Sequence, residues 1–517
     1  MAVSRNVASA HSFRGAESRS KRNGVSASEG IPGSPKRSKE NVLVYAAWHS
    51  LGWLLAGNLI GVWLAVLLLF PNAGRWQGSW SYGRWTPAHL NFQLYGWMAL
   101  PPVAWAMRIY RADRAPIAIW SRAALLLWSL ALTIGAVSWL SGTTSGKLFL
   151  DWSGFARIFF TLTILFHWCT LAVAYRRAWR EPGNRPLAIR AIKLVGLALL
   201  LLVPFVLYIA SSPVIYPAVN PDTGGPTGAS QLESTLIIVL MLLLLPYGLT
   251  GRKPAGRQWV SACWLILAAE ALLCLGLGRA DVSHHRPVQY LSLASLMVWI
   301  PLLPAYFHAF EWPRTTRPWR IATLAWWAVL VPTGCFFFLP GILDRLKFTD
   351  GLVGHSILAM AGFVSSLLIL ILGVLLGENA EIFNMRWAFV AWHGSVLAYV
   401  VLFLFAGWCE GADPAFTIVP GPARNILYVV RLILGLTMTA ASAEWLRRLT
   451  RNLRARNLPM PQPVPPVPEE HTETEHPSVP RPRDSQWAPA TSLRRWGGRS
   501  QGWESTNPRV PNKRLQP

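Results

Sequence analysis

Acidic residues are scarce in this chain: 24 Asp and Glu stand among 517 residues, half the 48 Lys and Arg, and all four charged types make up only 14%. So little charge cannot coat the several water-soluble domains that this length would otherwise hold. Cysteine is nearly as sparse. The five present, Cys169, Cys263, Cys274, Cys335 and Cys409, form no CxxC pair and no CxxCH. That pattern excludes a paired-thiolate metal motif and makes covalent heme attachment on this chain an unsupported reading; the thiols read as small apolar fillers. No internal repeat is found, which counts against a transporter built from inverted halves.

Apolar residues, at 52%, and 28 tryptophans fill the space that charge leaves. Twelve apolar stretches of about 20 residues, each long enough to cross about 30 Å of hydrocarbon as a helix, centre near 43–70, 88–110, 117–140, 155–175, 188–212, 231–250, 258–278, 288–310, 320–340, 352–376, 386–409 and 424–446. The expected architecture is all-α and polytopic: a basic arm (1–41), a membrane domain of about twelve transmembrane helices (42–450) and a Pro-rich tail (451–517). The arm has no signal-peptide core, and its Arg and Ser content is mildly transit-peptide-like; arm and tail are both expected to be disordered and cytoplasmic.

A net charge of +24 in a soluble protein would suggest nucleic acid. Here the cations collect in alternate connections, which is the positive-inside pattern of a membrane protein, so no nucleic acid is expected. The first forty residues carry eight Lys and Arg against three Glu, and clusters at Arg108 to Arg114, Arg176 to Arg185, Arg252 to Arg257 and Arg314 to Arg320 fall on the same side. Both termini are then cytoplasmic, and a bacterial inner membrane is the expected location. The connection "PVIYPAVNPDTGGPTGAS" on the opposite side has no Lys or Arg.

Of the eleven histidines, His11, His471 and His476 lie in the arm and tail. By this topology His89, the pair His284 and His285, and His355 share one depth near the outer face. Ionisable groups in membrane helices tend to face the bundle interior, and neutral imidazole ligates heme iron and copper. Four imidazoles at one level make a candidate metal layer. Each one also has a bland reading, a hydrogen bond to a neighbouring helix, and His49, His167, His308 and His393 keep that reading.

The order of these motifs resembles subunit I of the heme-copper oxidases, especially the C-family (cbb-type) enzymes, and the related nitric-oxide reductases. "GRWTPAHLNFQLYGW" looks like the family's second helix, with Pro87, His89 and Asn91 in place. His284 and His285 correspond to its copper-binding pair, and "FTDGLVGHSILAM" resembles its tenth helix, matching at Thr349, Asp350, Gly354 and His355. "WHGSVLAYVVLFLFAGWCEG" looks like the eleventh helix, with His393 in register, and "YVVR", ending at Arg431, like the opening of the twelfth. The resemblance implies a subunit I-like bundle with heme ligated by His89 and His355. It also implies copper or another divalent metal at His284 and His285, a c-type cytochrome subunit as electron donor, and a small gas, dioxygen or nitric oxide, as electron acceptor.

Several positions depart from the family. The second histidine of its tenth helix, which clamps the low-spin heme, is Ile357 here, so His89 would hold a five-coordinate heme, a heme with an unexpected sixth ligand, or none. The sixth helix has no histidine; Glu233 and Gln231 are its only candidate ligands, and Glu233 equally suits the positive end of the helix as a cap. The redox tyrosine's position is Gly278, with Tyr290 an unsupported substitute. Glu270, Thr323, Ser365, Ser366 and Ser395 could form only a sparse proton relay. Two functions stay open: a divergent terminal oxidase or nitric-oxide reductase, and a non-catalytic descendant serving as sensor, carrier or assembly partner.

Overall fold

The computed structural model describes residues 42–147, 149–181, 186–217, 231–277 and 287–457. These residues belong to one unit and are almost wholly helical. Among them no β-strand forms beyond an isolated bridge between Arg252 and Phe310. Eleven helices among the described residues are long and apolar enough to cross a membrane.

Helix α1 covers Val42–Leu69. Helix α2 follows one path in three pieces: an α-helix over Tyr82–Asn91, a π-helix over Phe92–Met98 and an α-helix over Leu100–Tyr110. Helix α2 is not among the eleven: it is broken at Ala99, and His89, Asn91, Gln93, Pro101 and Pro102 make it less apolar than its neighbours. Then follow α3 (Ala118–Ser141), α4 (Gly154–Arg180), α5 (Leu187–Ala210), α6 (Gln231–Leu249) and α7 (Arg257–Leu277). Helix α8 joins Pro287–Ser295 to Trp299–His308 through a tight turn at Leu296–Val298, and α9 is Arg317–Phe337. Helix α10 repeats the pattern of α2, with Asp350–Ile357, a π-helix over Leu358–Val364, and Ser365–Leu376. Helices α11 (Arg386–Ala412) and α12 (Pro422–Asn457) complete the bundle.

Proline explains part of the break in α2. A proline has no N–H, so the carbonyl four residues before it loses its helical donor. Pro101 deprives Trp97 in this way, and the Ser50 hydroxyl of α1 donates to the Trp97 carbonyl instead, at 3.4 Å. In hydrocarbon no water can fill that role, so the neighbouring helix must.

Burial separates centre from rim. In α10, 61% of the most apolar window is buried, against 11% in α5. On α5, Leu194, Val195, Leu199 and Leu202 are each more than half exposed. Lipid tails are as apolar as leucine, so this face meets lipid at no cost, and association of the helices rests on close packing and internal hydrogen bonds. One such packing joins α10 to α11 through Gly351 and Gly407, where a Cβ on Gly407 would fall on the Gly351 backbone.

Helix α12 outruns the expected membrane domain, which ends at 450, and continues to Asn457. Its last turns carry basic residues, and Glu444 receives hydrogen bonds from Arg447 at 2.6 Å and Arg448 at 2.8 Å, one helical turn away. The charged turns suit water and not hydrocarbon.

Overpacking a close helix contact costs about 1–3 kcal/mol. Gly407→Val is therefore expected to lower the midpoint of thermal unfolding in detergent by several degrees. Gly52→Ala, at a position with no neighbour within 4 Å, leaves the midpoint unchanged or slightly raised.

Candidate functional site

Helices α2 and α10 run in the same direction and touch in their second halves, where the Trp97 indole donates to the Ser365 hydroxyl at 2.9 Å. Both residues are buried. In their first halves the helices part around a cavity of about 390 Å³, which α1, α11 and α12 close from the sides. The Trp97–Ser365 bond sets the register between the helices. Eight residues before Trp97 is His89, and eight before Ser365 is Ile357; each interval passes through one π segment. His89 and Ile357, both lining the cavity, therefore stand at about the same level.

His89 is held in one orientation. Its Nδ1 lies 2.8 Å from the Gly57 carbonyl of α1. A carbonyl can only accept, so Nδ1 carries the proton and Nε2 keeps its lone pair. Glycine makes the approach possible: a Cβ on Gly61 would sit 2.8 Å from His89 Cε1. Beside the imidazole, Asn58 of α1 accepts from Gln93 at 2.9 Å and donates to Ser442 of α12 at 3.1 Å. That chain ties three walls together.

The remaining walls are largely apolar, among them Leu90, Leu94, Met360 and Met438, with one cation, Arg431 of α12. The guanidinium lies 3.9 Å from Asp350 and 4.8 Å from the Phe403 ring centroid. Such a charge suits a carboxylate on an otherwise greasy ligand.

The connection from α3 to α4 reaches the cavity through Phe149, whose carbonyl accepts from the Tyr95 hydroxyl at 2.8 Å. The connection is tied down by buried polar groups. The Asp151 carboxylate accepts from the Ser145 amide and, at 3.0 Å, from its hydroxyl, while Lys147 donates to the carbonyls of Ala210, the last residue of α5, and of Ser212 just beyond it.

The other expected site residues fall elsewhere. His355 does not line the cavity: its ring lies 5.0 Å from that of Phe337, tilted by 31°, and close to Gly334 on α9. His355 is two residues, about 3 Å of helix rise, from Ile357, and it turns to a different side of α10. Nδ1 of His355 is buried without a hydrogen-bond partner. His284, His285 and Gly278 lie outside the described residues. Glu233 is half-buried in the first turn of α6. Among the described residues no three His, Cys, Asp or Glu side chains converge to hold a metal ion.

Of the four histidines expected to bond to a neighbouring helix, His49 and His393 do so. His49 Nδ1 meets the Ser129 hydroxyl at 2.7 Å, and His393 Nδ1 accepts from Trp326 at 3.0 Å. His167 stacks edge-on against Trp128. Of the sparse relay, Thr323, Ser365 and Ser366 donate to carbonyls of their own helices, and Glu270 accepts from Trp299 at 2.5 Å. The hydroxyl donations stay within their own helices and the Glu270–Trp299 bond joins α7 to α8, but none of these bonds joins one relay residue to another.

Sequence reasoning passed over Gly57, Asn58, Gly61 and Gln93. The signal was "GNLIG" in α1, two glycines four apart, a spacing that lets helices approach closely. No family model and no curated protein matches this chain.

Burial pushes Asp151 above the usual carboxylate range, against the pull of the Ser145 hydrogen bonds. A carboxyl with a raised folded-state value contributes stability that is fully present below its unfolded value and is lost as pH rises through the folded one. Asp151→Asn keeps an acceptor for Ser145 without the charge. Thermal melts from about pH 4 to about pH 8 are expected to show the variant gaining on the parent protein as pH rises.

Proposed function

We propose that the chain is a heme-binding integral membrane subunit resembling cytochrome c oxidase subunit I, built on a twelve-helix bundle of that type, that passes electrons toward a small gas in a respiratory chain. The observation that carries this reading is the His89 imidazole, pinned by Nδ1 to Gly57 with Nε2 free, on the wall of the 390 Å³ cavity. A fixed tautomer held by a backbone carbonyl is the arrangement that raises imidazole basicity toward a metal. The walls suit a porphyrin: they are apolar, of ligand-pocket size, and carry Arg431 for a propionate. Bound there, heme would supply one-electron chemistry and an iron site for a gas. Gly57, Gly61 and His89 would orient it, and Phe149 would limit access of water.

On this reading the protein sits in a bacterial inner membrane with both termini in the cytoplasm, and a c-type cytochrome subunit delivers the electrons. A second heme on His355, and copper or another divalent metal at His284 and His285 with Glu233, belong to the fully catalytic form. Two observations favour a second reading, a non-catalytic oxidase-like sensor, carrier or assembly partner: Ile357 opposite His89, and His355 laid against Phe337.

The full chain purified from heme-replete cells is expected to show a heme absorption spectrum that changes on reduction. His89→Leu is expected to lose at least half of the bound heme while eluting as the folded parent does. A colourless, iron-free parent protein contradicts the proposal. Heme loss of about half leaves a second heme for His355→Leu to remove, whereas complete loss assigns all of it to His89.

A further inference from the structure

The wall facing His89 lacks a ligand. Ile357 occupies the level of the imidazole on α10, and a β-branched side chain there is stiff as well as inert. Most polar side chains around the cavity are committed elsewhere; the exceptions are the Tyr82 hydroxyl, seven residues before His89, and the Arg431 guanidinium, 3.9 Å from Asp350. Asn58 and Gln93 bond to each other, Thr86 donates to the Tyr82 carbonyl, and Ser356 donates to the Leu352 carbonyl. Ser365 serves Trp97 and the Met360 carbonyl, and the Tyr399 hydroxyl is bonded to the Arg431 carbonyl at 2.5 Å.

The Tyr82 hydroxyl, two turns from the level of the imidazole on His89's own helix, and three thioethers are the remaining donors. Met98 lies nine residues further along His89's own helix, on the same wall. Met438 belongs to the α12 side wall, and Met360 starts one turn below Ile357, about 5 Å from the level of the imidazole. None is built opposite Nε2.

We infer that the Ile357 side of this cavity is a binding site for a neutral diatomic gas, taken by a heme whose only protein ligand is His89. This rests on the heme assignment proposed above and goes beyond it, because a heme clamped from both sides passes electrons but leaves no position for a gas. The gas donates a lone pair to ferrous iron, and no electron or proton changes hands in that step. Ile357 offers a bound gas no hydrogen bond, and its neighbours Ser356 and Ser365, with Asn58 and Gln93 beside the imidazole, are engaged. Carbon monoxide and nitric oxide, which need little polar stabilisation, are therefore favoured over dioxygen, which gains from a distal donor.

The test uses the full chain with His355→Leu, so that a second heme does not contribute, reduced and titrated with carbon monoxide. The expected result is a five-coordinate ferrous spectrum that converts to the carbon monoxide adduct. Adding Ile357→His is expected to give a six-coordinate low-spin spectrum and to weaken carbon monoxide binding at least tenfold. Heme that is already six-coordinate and indifferent to carbon monoxide overturns the inference while leaving the heme assignment standing. In that event, carbon monoxide binding gained in Met360→Leu identifies the thioether as the sixth ligand. A preparation without heme overturns both. Should the Ile357→His protein fail to fold, the titration of the His355→Leu protein still decides.

Discussion

The hydrogen bond from His89 to the Gly57 carbonyl is the constraint on which the site depends. An imidazole inside a membrane bundle must place its N–H on some acceptor, since hydrocarbon supplies none. Here the acceptor is a backbone carbonyl of α1, already part of a helix, which the ring reaches because Gly61 has no side chain to block it. Once Nδ1 is spent in this way, Nε2 is the nitrogen left to bind anything else. The orientation of the imidazole therefore depends on two glycines of α1.

The cavity itself comes from the way α2 and α10 depart from regular helix. Each carries a π segment at a matching place, and π turns inside helices recur at functional sites because the widened turn re-aims the side chains beyond it. At the far end of these turns the helices are locked by Trp97 and Ser365; before them they part. The lock sets which residue confronts His89, and that residue is Ile357. Asn58, Gln93 and Ser442 hold the side walls at the same time, so that the space is kept open by hydrogen bonds as well as by packing.

Much of the fold was legible from apolar run lengths, which measure the thickness of hydrocarbon directly. The composite character of α2 was not, because a π turn is a compromise with neighbouring helices and leaves little trace in composition. Within the site, His89 stood out as an ionisable residue in an apolar run, and the cavity lies beside it. His355 stood out for the same reason, yet it faces Phe337 and not the cavity. Depth can be counted along a sequence, but direction around a helix turns by about 100° per residue, so residues 355 and 357 point to different sides. Arg431 was visible only as the last letter of a short motif. The chain of Asn58, Gln93 and Ser442 joins residues far apart in sequence, and no local pattern announces it.

The central claim, that His89 presents Nε2 to a porphyrin in the space between α2 and α10, is tested most directly by an experimental density map of the full chain purified from heme-replete cells. The account predicts flat, metal-centred density in that space, joined to His89 and reaching toward Arg431. A map in which acyl chains fill the space, or in which the His89 ring turns away from it, would contradict the account.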